Sequence, residues 1–436
     1  MPVGARCDNK VRNEHFEPGA ALSAWLNLSR MEIGEHGTME IHPGQNWTMR
    51  VVDGLADIPA REWDACANPE STGNSPPLPF DPFISHAFLQ ALEESGSAMA
   101  DTGWVPRHLL LENADGELLG AVPMYFKSHS RGEYVFDYQW ADALEQAGGS
   151  YYPKLQVSVP FTPVTGRRLL IRPGNDDRQI ESLLMDGCLQ VARQSDLSSL
   201  HLTFLEKELW ERLGKAGLLL RTDQQFRWQN REYADFDEFL AQLSSKKRRN
   251  IKQERRTALT GGIQIEQLTG SSIKEHHWDA FFQFYLDTGS RKWGTPYLTR
   301  SFFSLVGAAM ADRILLIMCR LGDKYVAGAL NFIGGDCLYG RYWGALDDFP
   351  CLHFEVCYYQ AIEYAIRQKL SFVDAGAQGE HKLARGYLPR QTFSAHWVAN
   401  EGFRSAIAEF LLSERRYVSE NMEVWEGHSP FRSSDK

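Results

Sequence analysis

At 436 residues and a formal net charge of −10, the chain is long enough for two cores and too acidic overall to coat nucleic acid by bulk charge. Hydrophobic residues make up 43% and charged residues 23%, which fits a globular chain and excludes a fibrous or disordered one. Seven scattered cysteines (7, 66, 188, 319, 337, 351 and 357) without a CxxC pair read as buried thiols in a reducing compartment, with no zinc site or disulfide framework expected.

The opening MPVGARCDNKVRNEHFEPG lacks the apolar segment of a secretory signal. No run of about 18 apolar residues occurs anywhere, so a cytoplasmic chain with no membrane span is expected. Residues 1–47 are polar and Gly-rich and read as a flexible leader. A first unit is expected over 48–230, a basic helical connector over 231–260 and a second unit with a C-terminal helix over 261–436. The two units echo each other. Ile58–Ala65 around Trp63 aligns with Ile273–Ala280 around Trp278, and Pro82–Phe88 aligns with Pro296–Phe302. Leu119-Gly120-Ala121 then pairs with Ala327-Gly328-Ala329, and Gln139-Trp140-Ala141 with Tyr342-Trp343-Gly344. Order is kept while the offset shrinks, as in an internal duplication whose first copy has longer loops.

In the second copy the pattern predicts a strand over 263–268, a helix over 272–287 and a helix over 299–310 with Thr299 at its N-cap. An antiparallel meander follows over 314–321, 325–333 and 337–345, punctuated by Gly-Asp and Gly-Gly-Asp turns. A long helix over 352–369, a strand over 371–375 and a further strand over 392–398 complete it. Between those last two strands lies GAQGEHKLARGY. Gly376 and Gly379 permit a sharp turn and close approach to a ligand. Glu380 and His381 offer a carboxylate and an imidazole for proton transfer near neutrality, and Gln378 an amide partner. Lys382 and Arg385, three apart, share a helical face suited to gripping phosphate or carboxylate. Arg341, beside Tyr342 in an apolar strand, must find an anion, with Asp374 on the neighbouring strand as the structural alternative. His353 stands in the first turn of the long helix. No metal set is expected.

The stretch PFISHAFL at 82–89, SSKKRRNIKQERR at 244–256, GDCLYGRYWG at 335–344, LHFEVCYYQAIEYAI at 352–366 and GAQGEHKLARGY at 376–387 resemble the FemAB-like family. That family carries the acyl-CoA N-acyltransferase (GNAT) fold. The resemblance covers roughly residues 50–420 and implies an α/β (α+β) chain of two tandem GNAT-like domains with mixed central sheets. It also implies N-acyltransfer or aminoacyl transfer to an amine acceptor of the peptidoglycan-precursor type. No cofactor would be tightly bound, and the co-substrate would be acyl-CoA or aminoacyl-tRNA. A non-catalytic module recognising such precursors is the alternative.

By the same resemblance, Lys292 and Trp293 in the loop between the first two helices line the acceptor side, and the helix after the meander points its N-terminus at donor phosphates. Asp347 and Asp348 stand where a Gly-rich pyrophosphate loop would be, and they repel a pyrophosphate. In the first copy Thr165, Gly166, Arg167 and Arg168 form a secondary candidate phosphate loop. Residues 246–256 carry seven basic residues and one Glu, so Lys247, Arg248 and their neighbours are candidates for contact with an anionic donor such as tRNA.

Overall fold

A computed structural model describes residues 47–70, 78–292, 296–376 and 380–432. The first half supplies β1 (Thr48–Val52), β2 (Trp104–Pro106), β3 (His108–Glu112), β4 (Leu118–Val122), β5 (Met124–Lys127), β6 (Lys154–Val157), β7 (Leu170–Ile171), β8 (Ser199–Thr203) and β9 (Leu219–Gln229). The second half supplies β10 (Ile263–Leu268), β11 (Ile314–Leu321), β12 (Lys324–Ile333), β13 (Cys337–Ala345), β14 (Phe372–Asp374) and β15 (Leu388–Val398). One sheet has the order β1-β3-β4-β7; the other runs β10-β11-β12-β13-β14-β9-β15-β8-β6-β5-β2.

The meander forms as its turn signals predict, with β11, β12 and β13 antiparallel. β14 then returns parallel to β13 but pairs over only three residues, Cys337–Tyr339 with Phe372–Asp374. Beyond Tyr339 the two strands part. The helix Glu275–Lys292 covers β13 so closely that a Cβ on Gly344 would collide with the Phe284 carbonyl.

Three of the four repeat pairings match in three dimensions. Trp63 and Trp278 are both buried on the first helix of their half, Ala60–Ala67 and Glu275–Lys292. Phe88 and Phe302 meet edge to face at 5.7 Å where the helices His86–Glu94 and Arg300–Met310 pack together. Gly120 and Gly328 lie in β4 and β12. The fourth pairing is corrected: Trp140 sits on a helix, Tyr138–Gln146, whereas Trp343 sits on β13. An insertion before β6 carries that helix, and its local sequence imitates the strand's by residue type alone.

The strand β15 lies between β8 and β9, so hydrogen bonding crosses the 231–260 boundary. At that crossing His396 stands opposite His201, with their Nδ1 atoms 2.7 Å apart and both rings buried. His201 Nε2 also lies 2.7 Å from Ser199 Oγ, and His396 Nε2 2.9 Å from Ser394 Oγ. Burial pushes both imidazoles down, His201 to about 3, with Lys154 and Arg221 adding to the effect on both and His201 adding to that on His396. Beneath them buried Lys154 bridges Glu133 at 2.7 Å and Asp137 at 2.5 Å, and Tyr151 donates to Asp137 at 2.6 Å. Burial pushes Glu133 up to about 7.

Candidate functional site

The gap between β13 and β14 forms a cavity of about 150 Å³ lined by Asn331, Arg341, Tyr342, Trp343, His353, Cys357, Tyr358 and Ala375, among others. A β-bulge builds one wall. Leu330 pairs with Tyr342 and Asn331 with Gly340, leaving Arg341 as the extra residue. Bulges re-aim side chains, and here the guanidinium turns to the first half. Arg341 Nη2 donates to the Phe161 carbonyl at 2.6 Å, and Tyr342 OH reaches the same oxygen at 3.3 Å. Asp374, the expected alternative partner of Arg341, is instead held by Arg227 through two contacts of 2.5 and 2.6 Å. β9 lies beside β14, so Arg227 is paired directly opposite Asp374 while Arg341 is carried off by the divergence.

The opposite wall is the helix after the meander. It enters through Cys351 in the left-handed region (φ 62°), runs Leu352–Phe354, widens into a π turn at Glu355–Tyr359 and continues as Gln360–Arg367. A π turn changes which side chains share a face and is frequent at functional sites. It brings Tyr358 and His353 together, ring centroids 5.4 Å apart, with His353 also 5.5 Å from Trp343. Tyr358 OH lies 2.9 Å from His381 Nε2, and His353 and His381 are 6.1 Å apart. Burial raises the Tyr358 phenol above its ordinary range. Tyr358 lines the cavity with Arg341, and its contact brings His381 to the cavity's edge.

Two expected roles in the turn beyond Ala375 are corrected. Lys382 and Arg385 are only 4% and 5% exposed and do not form an open anion grip. Lys382 Nζ donates to the carbonyls of Ala375 and Gly376 at 2.5 and 2.8 Å, clasping the chain where Gly376 takes φ 75°. Burial lowers the Lys382 ammonium to about 8. Arg385 donates to Tyr359 OH, the His381 carbonyl and Glu254, and lies 3.5 Å over the Phe354 ring. Its charge is already neutralised by a carboxylate 131 residues away in sequence. Gln378 and Trp293 lie outside the described residues, as do the side chains of Glu380 and Lys292.

The secondary phosphate loop is also corrected. Arg168 is buried and donates to the carbonyls of Thr203, Val164 and Arg167, while Arg167 donates to the Ala67 carbonyl at 2.7 Å. Arg168 is thus committed to backbone oxygens, and Arg167 turns its Nη2 inward to the Ala67 carbonyl and the Asn68 side chain. The loop's use lies earlier, in the Phe161 carbonyl that Arg341 and Tyr342 hold.

The basic run forms the helix Ser245–Ala258, and one of its faces is docked. Arg255 makes two contacts with buried Glu355, 2.9 and 3.0 Å, and one with Glu363 at 2.6 Å. Glu254 receives Arg385 and the Tyr359 hydroxyl. This fixes the helix to the π turn and leaves Arg249, Lys252 and Arg256 exposed, with Lys247 and Arg248 half-buried beside them. Asp347 and Asp348 are exposed. Among the described residues no group of three or more His, Cys, Asp or Glu converges to hold a metal ion, and no helix is long and apolar enough to cross a membrane. The described cysteines form no disulfide.

Missed from the sequence were Tyr358, Trp343, Asn331 and Arg227. Tyr358 carried a signal in the paired tyrosines of VCYYQ, but period alone placed it on an ordinary helix face.

A meander, a parallel strand that splays from it and a helix crossing the gap define the GNAT class of acyltransferase fold, present here in tandem halves with large mixed α/β sheets. The chain belongs to the FemAB-like family, described as peptidoglycan biosynthesis/recognition, which it matches over residues 54–433. This makes it an acyltransferase by family. It is similar to the crystal structure of FemX at 13% identity, covering 80% of this chain and 98% of that one, with a TM-score of 0.49. A putative lysylphosphatidylglycerol synthetase C-terminal domain from Agrobacterium fabrum matches at 10% identity, 81% and 95% coverage and TM-score 0.48. A tandem GNAT protein from the clavulanic acid biosynthesis pathway matches at 12%, 81% and 99% and 0.42. No curated protein matches the chain.

Proposed function

We propose that the chain joins an activated aminoacyl group to the amine of a peptidoglycan-type precursor, in the gap between β13 and β14, within a reducing, cytoplasmic setting. The observation that supports this is the 2.9 Å contact between His381 and Tyr358, the latter a lining residue of the cavity that also holds Arg341 and His353. The neutral amine attacks the acyl carbonyl carbon. Its proton passes through the Tyr358 hydroxyl to His381, and the imidazolium returns a proton to the leaving oxygen as the ester bond breaks. His353 and Tyr342 line the path. To Glu380 and Gln378 we assign the roles their residue types suggest, a carboxylate for proton transfer and an amide partner.

Aminoacyl-tRNA is preferred to acyl-CoA as donor on two grounds. Asp347 and Asp348 disfavour a pyrophosphate at the helix start, and the exposed face of Ser245–Ala258 offers a basic track fixed to the π turn. The units 48–230 and 261–436 act together, tied by β15. Single-turnover assays with aminoacyl-tRNA and with acyl-CoA, read by product mass, test the reading. His381→Ala and Tyr358→Phe should each slow transfer by about 10²-fold or more; full turnover in both would remove the base. Tight precursor binding without product from either donor would favour the recognition-only alternative.

A further inference from the structure

Past the β13–β14 gap, the same sheet face carries a second guanidinium pair. Arg227 on β9 stands opposite Leu388, and Arg390 on β15 stands opposite Gln225. Arg227 has both Asp374 carboxylate oxygens. Arg390 is half-buried, and its guanidinium makes no hydrogen bond or ion pair among the described residues. Burial and then the neighbouring Arg227 push its guanidinium down, against the upward pull of Asp374, Cys337 and Tyr339. A half-buried cation beside a like charge is a standing cost unless an anion arrives to offset it. The surroundings are built rather than open. Gln225, opposite Arg390, donates to the Pro163 carbonyl at 2.8 Å, and Arg341 holds Phe161 in the same loop at 2.6 Å. The loop thus spans from the reaction gap to the strand pair that bears Arg390.

We propose that Arg390, backed by Arg227, is an oxyanion subsite that receives a phosphate or carboxylate of the acceptor. Two strand spacings separate β14 from β15, so that anion lies about 10 Å from the gap where the amine reacts. The acceptor class is therefore an amine with an oxyanionic group at that distance. This rests on the acyl-transfer reading for the word acceptor, but the binding itself is independent of turnover.

The experiment is titration calorimetry of the full chain with inorganic pyrophosphate and, separately, with succinate, on wild type, Arg390→Gln, Arg390→Lys and the exposed control Arg416→Gln. One of the two probes should bind wild type, which distinguishes phosphate from carboxylate. Arg390→Gln should lose at least about tenfold in affinity, Arg390→Lys should retain part of it, and Arg416→Gln should match wild type. Because Arg390 has no partner to give up, the ligand-free thermal midpoint of Arg390→Gln should be unchanged or higher. Equal affinity in Arg390→Gln, binding of neither anion, or a lowered ligand-free midpoint overturns the subsite. If transfer is absent in wild type while Arg390→Gln alone loses the anion, the acyl-transfer reading falls and the subsite stands.

Discussion

Acid should weaken this protein through the His201–His396 pair. Both rings are buried 2.7 Å apart at Nδ1, and neither imidazole can take a charge without loss of solvation or repulsion from the other and from Lys154. In the unfolded chain each would protonate near its ordinary value of about 6.5. Below that value the unfolded state binds protons the folded state refuses, so stability is full above about pH 6.5 and falls as pH drops toward the folded values. Between about pH 7.5 and about pH 5 the loss is about 2 kcal/mol for each ring that stays neutral, so about 4 kcal/mol for the pair. Glu133, pushed up to about 7, acts in the opposite sense, since the folded state takes its proton first. That contribution is common to wild type and to a His201→Gln/His396→Gln variant, so the difference between their pH profiles isolates the rings. Urea unfolding followed by tryptophan fluorescence suits the measurement, because Trp140 packs edge-on to His396 at 5.1 Å. The double variant should lose about 2–4 kcal/mol less than wild type across the interval. Identical pH dependence in the two proteins would refute the reasoning.

Asp374→Asn strands Arg227 beside β14 and should cost roughly 3 kcal/mol, seen as a lowered thermal midpoint that Arg227→Gln in the same chain partly restores. Gly344→Ala forces a methyl against the Phe284 carbonyl and should destabilise by about 2 kcal/mol, with the helix Glu275–Lys292 losing hydrogen-exchange protection. Glu355→Gln leaves Arg255 without its buried carboxylate and should cost about 3 kcal/mol while loosening the basic helix. By contrast, Lys252→Ala and Arg256→Ala remove only exposed contacts with Asp237 and Gln253 and should change stability by less than about 1 kcal/mol; under the proposed aminoacyl-tRNA donor they should lower the salt slope of tRNA binding by about one for every phosphate no longer neutralised, as measured by filter binding.

Elements whose pattern is local were legible. The Gly-Asp turns at 322–323 and 335–336 fix the meander, and strands 263–268, 314–321 and 337–345 fall where alternation places them. The bulged strand was legible in part, since the Arg341 expected to need a partner does line the cavity where β13 and β14 part. Partner choice was not. Lys382 and Arg385 have the spacing of an anion grip, but Arg385 is taken by Glu254, 131 residues away, and Lys382 by the Ala375 and Gly376 carbonyls, a turn closure that residue type does not announce. The same holds for Arg227, which takes Asp374 from Arg341, and for His201 and His396, 195 residues apart. The π turn at 355–359 and the bulge at Arg341 each insert a residue into a regular ladder. Periodicity cannot register such a step, because the flanking residues keep their usual types.

The placement of β15 has a consequence for how this chain is made. β8 and β9 can form as soon as Gln229 leaves the ribosome, but the strand that fills the slot between them is completed only at Val398. About 170 further residues must be translated first, roughly 10–30 s at ordinary elongation rates. During that interval one edge of β8 and both edges of β9, whose other neighbour β14 is also still to come, stand open to neighbouring nascent chains. The early half would thus depend on a chaperone's protection, and expressing it by itself would yield aggregate rather than a working fragment.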